Sequence, residues 1–254
     1  MSRKAGSPGR DDVYDKAFKT IAQDAPSLLI PLVNHMFGRS YTDKAEIRFA
    51  SDQAIYLDRT RRHRLMADLH IIVAENGAEE DFLLEIQSTP DSEIFNRISR
   101  YILGVTMRVL KDKTVDGHPY SVAKAPRTGL IYLRAPKKLT SPARLQIELS
   151  AGSAVHETPI LRLVQMTLED LLQNRLTVLV PFHLFRYASE LAEIEQDKVR
   201  RETLLSEYRR IADTLNEYAA SGEISTQESK LLAVLTEEVV NALASNQPLI
   251  REGK

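Results

Sequence analysis

The stretch His63–Arg100, HRLMADLHIIVAENGAEEDFLLEIQSTPDSEIFNRISR, decides the fold. Arg64–Glu75 and Asp81–Ser88 are rich in aliphatic residues and read as two strands. Between them lies Asn76-Gly77, the strongest short hairpin signal a sequence offers. With these two as turn residues, Glu75 pairs with Ala78, and matched steps back along both strands set Asp68 opposite Glu85. The period of two then puts His70 and Gln87 on the face that carries the two acids. A slip of one residue would send Glu85 to the other face. A four-residue turn would set Asp68 opposite Gln87 and leave all three on one face. Asp91–Lys111 follows as a long helix, with Ile94, Ile98, Tyr101, Ile102, Val105, Met107 and Val109 on its apolar side and Arg97, Arg100 and Arg108 along a basic flank.

Two carboxylates facing each other on adjacent strands repel. In apolar surroundings each also loses its water. A proton, an arginine or a divalent cation has to neutralise them. Mg2+ is commonly held by one or two carboxylates, several waters and a substrate phosphate oxygen, and it can lower the pKa of an attacking water. Asp68 and Glu85 fit that role. They equally fit a structural one, with Asp68 at a strand end and paired to Arg64 or Arg97. His70 shares the acid face, and a sheet histidine satisfied within the fold describes it as well.

Outward from this stretch, Asp11 or Asp12 opens a helix to about Gln23. A second helix from Pro26 to Gly38 carries Pro31 inside it, which predicts a kink or break. Ala45–Leu57 holds two short extended pieces, EIRFA and AIYL, that fit a strand or a hairpin. Arg59, Arg61, Arg62 and Arg64 form a basic cluster, either a solvated loop or a phosphate-facing patch. Further strands are expected at Arg127–Arg134, Arg144–Leu149 and Thr158–Met166, with a short helix at Leu168–Asn174. VLVPFHLF around Pro181 reads as a buried connection. From about Phe185 charged residues dominate. Leu204, Tyr208, Ile211, Leu215 and Tyr218 make a two-heptad seam, and Ser225-Thr226-Gln227-Glu228 is a capping box that opens a last helix. A helical hairpin packed on the domain, or on a second copy of it, follows.

The 254 residues are 43% hydrophobic, enough for a core. Lys+Arg (34) nearly balance Asp+Glu (35), so the chain lacks the global basicity of a simple nucleic-acid binder. With no cysteine it has no thiolate metal site, thiol nucleophile or disulfide. No apolar run approaches the roughly 18 residues of a transmembrane span, and the basic N-terminus has no apolar segment behind it. A cytoplasmic protein without membrane contact is expected. No phosphate-binding glycine loop, dinucleotide fingerprint, serine-hydrolase elbow or H-E-x-x-H zinc motif is present.

Leu84-Glu85-Ile86-Gln87-Ser88, then Pro90-Asp91 and Arg97-Ile98-Ser99-Arg100-Tyr101, resembles the catalytic signature of the Rpn family, the recombination-promoting, transposase-like nucleases of the PD-(D/E)xK superfamily. The family pattern is a strand aspartate, an E-x-Q strand, and a helix with Arg and Tyr four residues apart. Asp15, Phe18 and Lys19 resemble its N-terminal helix, and the likeness runs from about Tyr14 to about Phe185. The resemblance implies an α/β fold: a restriction-endonuclease-like core with a central mixed β-sheet flanked by helices and the site on the central hairpin. A C-terminal helical extension completes the chain. The expected division is a disordered tail at 1–10, the nuclease-like domain at 11–185 and the helical extension at 186–254.

Carried over residue by residue, the resemblance implies that Asp68 and Glu85 bind Mg2+ or Mn2+. Gln87 stands where the superfamily has lysine; it can orient a water by hydrogen bonding but carries no charge. Arg97 or Lys19 is expected to supply that charge, and Asp15 is a candidate third acid near the metal, or simply a helix N-terminal acid favoured by the macrodipole. Arg61, Arg62, Arg64 and Arg100 are candidate phosphate contacts on DNA. The expected function is metal-dependent hydrolysis of DNA phosphodiesters, linked to recombination or mobile elements. The alternative is a non-cleaving relative that binds DNA or a protein partner and forms a homo-oligomer through its C-terminal helices.

Overall fold

The computed structural model of the chain describes residues 10–50, 54–57, 62–65, 69–88, 91–108, 110–115, 117–134 and 141–253. Asn76 and Gly77 form the central turn, with φ of 51° and 77°. Two consecutive residues in the left-handed region are what a two-residue hairpin turn of this hand requires, and Asn-Gly adopts it at least strain. The turn joins β4 (Leu69–Glu75) to β5 (Ala78–Gln87). Their antiparallel pairing runs from Glu75 opposite Ala78 to Leu69 opposite Leu84, the register counted from the turn.

Five strands make the main sheet, in the order β1 (Glu46–Phe49), β4, β5, β8 (Arg127–Tyr132) and β11 (Ile160–Arg162). β1 pairs antiparallel with β4 and β4 antiparallel with β5; β8 lies parallel to β5 and β11 parallel to β8. The fold is thus α/β, with a central mixed sheet flanked by helices. A parallel pair needs a crossover, and α3 (Ile94–Arg108) lies within the one that links β5 to β8. Phe82 through Ile86 is buried without a break because both faces of β5 are covered. Phe82, Leu84 and Ile86 join a large core with α1 (Arg10–Asp24) and α2 (Leu29–Phe37). Leu83 packs with Tyr101 and Val105 of α3 on the other face. In β8, Ile131 belongs to the large core, and Leu130 and Tyr132 meet Ile94, Ile98 and Ile102 of α3.

Several expected elements divide differently. EIRFA and AIYL do not pair with each other. β1 joins the sheet at β4, whereas β2 (Ala54–Leu57) pairs with β3 (Arg62–Leu65) in a separate hairpin. The expected strand Arg64–Glu75 is therefore parts of β3 and β4, which serve different partners. The helix after β5 ends at Arg108, and β6 (Leu110–Val115) and β7 (His118–Ala123) form a hairpin beyond it. Pro31 does not break its helix. α2 begins at Leu29 after a 3-10 turn at Pro26–Leu28, so Pro31 sits in the first turn, where no intrahelical N–H partner is needed. β9 (Ala143–Leu149) and β10 (Gly152–Thr158) form another hairpin, and Pro159 separates β10 from β11.

After α4 (Leu168–Gln173), residues Thr177–Tyr187 form a long 3-10 segment through Pro181. Thr177 to Phe185 are all buried, which is why the stretch shows no helical period in sequence. α5 (Leu191–Gln196), α6 (Lys198–Ser221), α7 (Thr226–Leu243) and α8 (Pro248–Glu252) follow. The capping box forms as expected: Ser225 accepts from the Glu228 N–H, and Glu228 accepts from the Ser225 N–H. The seam residues Leu204, Tyr208, Ile211 and Leu215 are buried within the chain's own core. Leu232, Val239 and Val240 of α7 are fully buried there, in the same cluster as Phe18 and Ile21 of α1 and Phe182 of the 3-10 segment.

Candidate functional site

Alternation along β5 points Leu83, Glu85 and Gln87 at α3, away from the large core. Glu85 is the buried acid of this face, with a side chain 5% exposed. α3 answers it. Arg97, one turn into the helix, donates to Glu85 Oε1 from Nε at 3.0 Å and from Nη2 at 2.6 Å. Its third nitrogen, Nη1, donates to Asp91 Oδ2 at 2.8 Å. Asp91 precedes the helix, and its other oxygen, Oδ1, accepts from the Glu93 N–H at 2.8 Å. That bond satisfies a donor at the helix N-terminus and fixes the carboxylate in orientation. Gln87 Nε2 lies 3.4 Å from Glu85 Oε1, a long contact. Tyr132, level with Gln87 on the neighbouring strand, is 1% exposed and belongs to the α3 face.

Burial and charge oppose each other here. Burial disfavours the charged form of Arg97, but the Glu85 carboxylate, its hydrogen bonds and Asp91 together hold the Arg97 pKa above its ordinary value. Burial pushes the Tyr132 hydroxyl up; Asp91 adds to that and Arg97 opposes it. Both charged groups thus act on the same tyrosine.

The expected site residues fall into three groups. Glu85, Gln87 and Arg97 come together. Asp15 and Lys19 pair with each other on α1, Lys19 Nζ lying 2.8 Å from Asp15 Oδ2, as residues four apart on a helix do. Asp68 and Arg61 lie outside the described residues, Arg62 and Arg64 belong to β3, and Arg100 is exposed on α3. Of His70, Nε2 comes 3.4 Å from Asp81 Oδ1, and neither ring nitrogen makes a hydrogen bond within the described residues. Asp91, quoted in the signature, and Tyr132 were given no site role from sequence. Asp91 was legible as the acid before the α3 pattern; Tyr132 was not, because its place depends on the parallel pairing of β5 with β8.

The Glu85 and Asp91 carboxylates and the Gln87 amide offer oxygen ligands of the kind a hard cation takes, and the same sheet face also carries the His70 imidazole, opposite Leu83. The Arg97 guanidinium stands on Glu85 where such a cation's charge would fall. Among the described residues no group of three or more His, Asp or Glu could hold a metal ion, and Asp68, the second acid expected beside Glu85, lies outside them. A cleft of about 800 Å3 opens elsewhere, between α2, the 41–45 loop and the α6–α7 turn, and none of Glu85, Gln87 or Arg97 lines it. Among the described residues no helix is long and apolar enough to cross a membrane. No family model, no curated protein and no solved structure matches the chain.

Proposed function

We propose that this chain is a metal-dependent DNA endonuclease of the Rpn type, with a restriction-endonuclease-like core. The observation that carries the reading is a buried carboxylate, Glu85, set beside Gln87 on a central strand and met by the Arg97 guanidinium from the following helix. The contact of Arg97 with Glu85, beside Gln87, supports that reading.

In this reading Asp68 and Glu85 hold Mg2+ or Mn2+, which supplies a Lewis acid and a water of lowered pKa. Gln87 orients the attacking water by hydrogen bonding and leaves the charge to another residue. Arg97 supplies that charge and stabilises the negative charge that develops on the phosphate. Arg61, Arg62, Arg64 and Arg100 position the DNA backbone without reading sequence. The test is cleavage of supercoiled plasmid by the purified chain in Mg2+ or Mn2+, with Asp68→Ala and Glu85→Ala alongside. Cleavage lost in both variants, with the fold retained, supports the reading. Equal nicking by wild type and Asp68→Ala sinks it.

One observation favours a second reading. Arg97 already matches the Glu85 charge without a metal, and Gln87 brings no cation of its own. A non-cleaving DNA-binding module satisfies the same geometry. It predicts a salt-dependent DNA affinity that survives Asp68→Ala and no cleavage in any metal.

A further inference from the structure

We propose that the cleft of about 800 Å3 between α2, the 41–45 loop and the α6–α7 turn is a binding site for a linear organic cation, a di- or polyamine with an ammonium group at each end. The cleft stands apart from the Glu85 face, and its ligand does not depend on how that face acts.

The two walls carry acids. Asp43 lies on the loop side, and Glu223 and Glu228 lie around the α6–α7 turn. Among the residues that line the cleft, Arg175 alone is a lysine or arginine, and its Nη2 is 3.1 Å from Glu223 Oε2. With His35 neutral, three carboxylates against one guanidinium leave the lining with two net negative charges. The Asp43 carboxylate has no hydrogen bond or ion pair among the described residues. Burial disfavours the charge on Glu228, but hydrogen bonds from Ser27 and Ser225 outweigh that and hold its carboxyl below the ordinary value.

Between these walls the lining is apolar and aromatic. Leu28, Ile30 and Ile224 are buried there. Tyr41 and Tyr218 line the cleft too, and both hydroxyls are engaged elsewhere, on Glu80 Oε2 at 2.8 Å and on the Leu172 carbonyl at 3.1 Å. Their rings are therefore what they offer a ligand. An ammonium group is attracted to an aromatic face, and an alkyl chain to apolar surface. Thr177 adds a polar contact. It is 3% exposed, and its hydroxyl makes no hydrogen bond among the described residues. It is not one of the unpartnered oxygens sealed from solvent, so that hydroxyl is open to the cleft it lines. A buried polar group normally has a partner, and an ammonium N–H supplies one. Acids on both walls with apolar surface between them match a chain that carries a positive charge at each end.

The test is isothermal titration calorimetry of the full chain with spermidine, diaminopentane, pentylamine and pentanol at low salt. Diaminopentane is expected to bind about fivefold more tightly than pentylamine, the scale of one solvent-exposed charge contact, and pentanol to give no heat. Asp43→Asn and Glu223→Gln, both at exposed positions, should each weaken spermidine about fivefold. Arg175→Gln, which removes the cation already in the cleft, should tighten it by about the same factor. Thr177→Val keeps the shape and removes the hydroxyl, and should also weaken binding; Thr177→Ala replaces it if thermal melting shows that valine unfolds the chain. No heat with any amine overturns the proposal. Spermidine binding that Asp43→Asn, Glu223→Gln and Arg175→Gln all leave unchanged puts the amine elsewhere on the chain and overturns it too. Equal affinity for pentylamine and diaminopentane removes the two-ended ligand. A lysine-rich peptide that binds where the free amines do not would make the cleft a protein-docking site, against the proposal.

Discussion

Arg97 places two guanidinium nitrogens on one oxygen of Glu85, Oε1, at 3.0 and 2.6 Å, joining the helix to a strand residue twelve positions earlier. Removing Arg97 leaves that buried carboxylate without this cation. Arg97→Ala is expected to lower stability by about 2 kcal/mol, less than for a wholly buried pair because Arg97 is partly exposed to solvent. In Glu85→Gln the same substitution should be less damaging, since no buried charge is stranded. Urea unfolding of the two single variants and the double variant checks this.

Glu80 sets an acid limit. Burial raises its pKa, but hydrogen bonds from Arg39 and Tyr41 and the charge and hydrogen bond of Arg127 overcome that and hold it at about 2. Arg39 contributes two donors, Nε at 2.7 Å and Nη2 at 2.9 Å. A carboxylate held below its ordinary value stabilises the fold above that ordinary value, 4.5, and loses the contribution as pH falls toward about 2. Wild type should therefore be more stable than Arg39→Leu at pH 6, and the difference should shrink steadily between about pH 5 and pH 2. Urea titrations across that range measure it; a constant difference would contradict the assignment.

Gly129 lets α2 lie close on β8. A Cβ there would come 2.8 Å from Met36 Cε, 2.9 Å from Phe37 Cζ and 3.1 Å from Leu84 Cδ2. Gly129→Ala is expected to cost about 1–2 kcal/mol through overpacking. Met36→Ala should relieve part of that cost in the double variant, a non-additivity that chemical denaturation can read.

The C-terminal helices are expected to be needed for folding. Leu232, Val239 and Val240 of α7 are fully buried in the cluster that holds Phe18 and Ile21. A chain ending at Gly222 should lose cooperative unfolding and near-ultraviolet dichroism, because it exposes one side of the α1 core. Ser225→Ala, which removes only the cap, should cost about 1 kcal/mol and leave the transition cooperative.

Local chemistry was enough to read part of this molecule. Asn76-Gly77 specified a turn that few other dipeptides favour, and the turn dictated the β4–β5 register and put Glu85 and Gln87 on one face. Ser225 and Glu228 specified a helix start because both hydrogen bonds lie within four residues. Other features depend on neighbours distant in the chain. That AIYL pairs with RHRL, and EIRF with β4, rests on which edges remain open after the sheet assembles. A short alternating strand carries no mark of its partner. In the 3-10 segment Thr177–Tyr187 every residue from Thr177 to Phe185 is buried, which erases any period. The basic flank of α3 offered three arginines, and only the packing of helix on sheet selected Arg97 to meet Glu85 and Asp91. The sequence by itself determined the turn, the register and the placing of Glu85 with Gln87, because short-range backbone geometry controls all three. The tertiary structure decided which cation neutralises Glu85 and which acid shares it, because an ion pair is selected by proximity and burial, and neither exists before the chain folds.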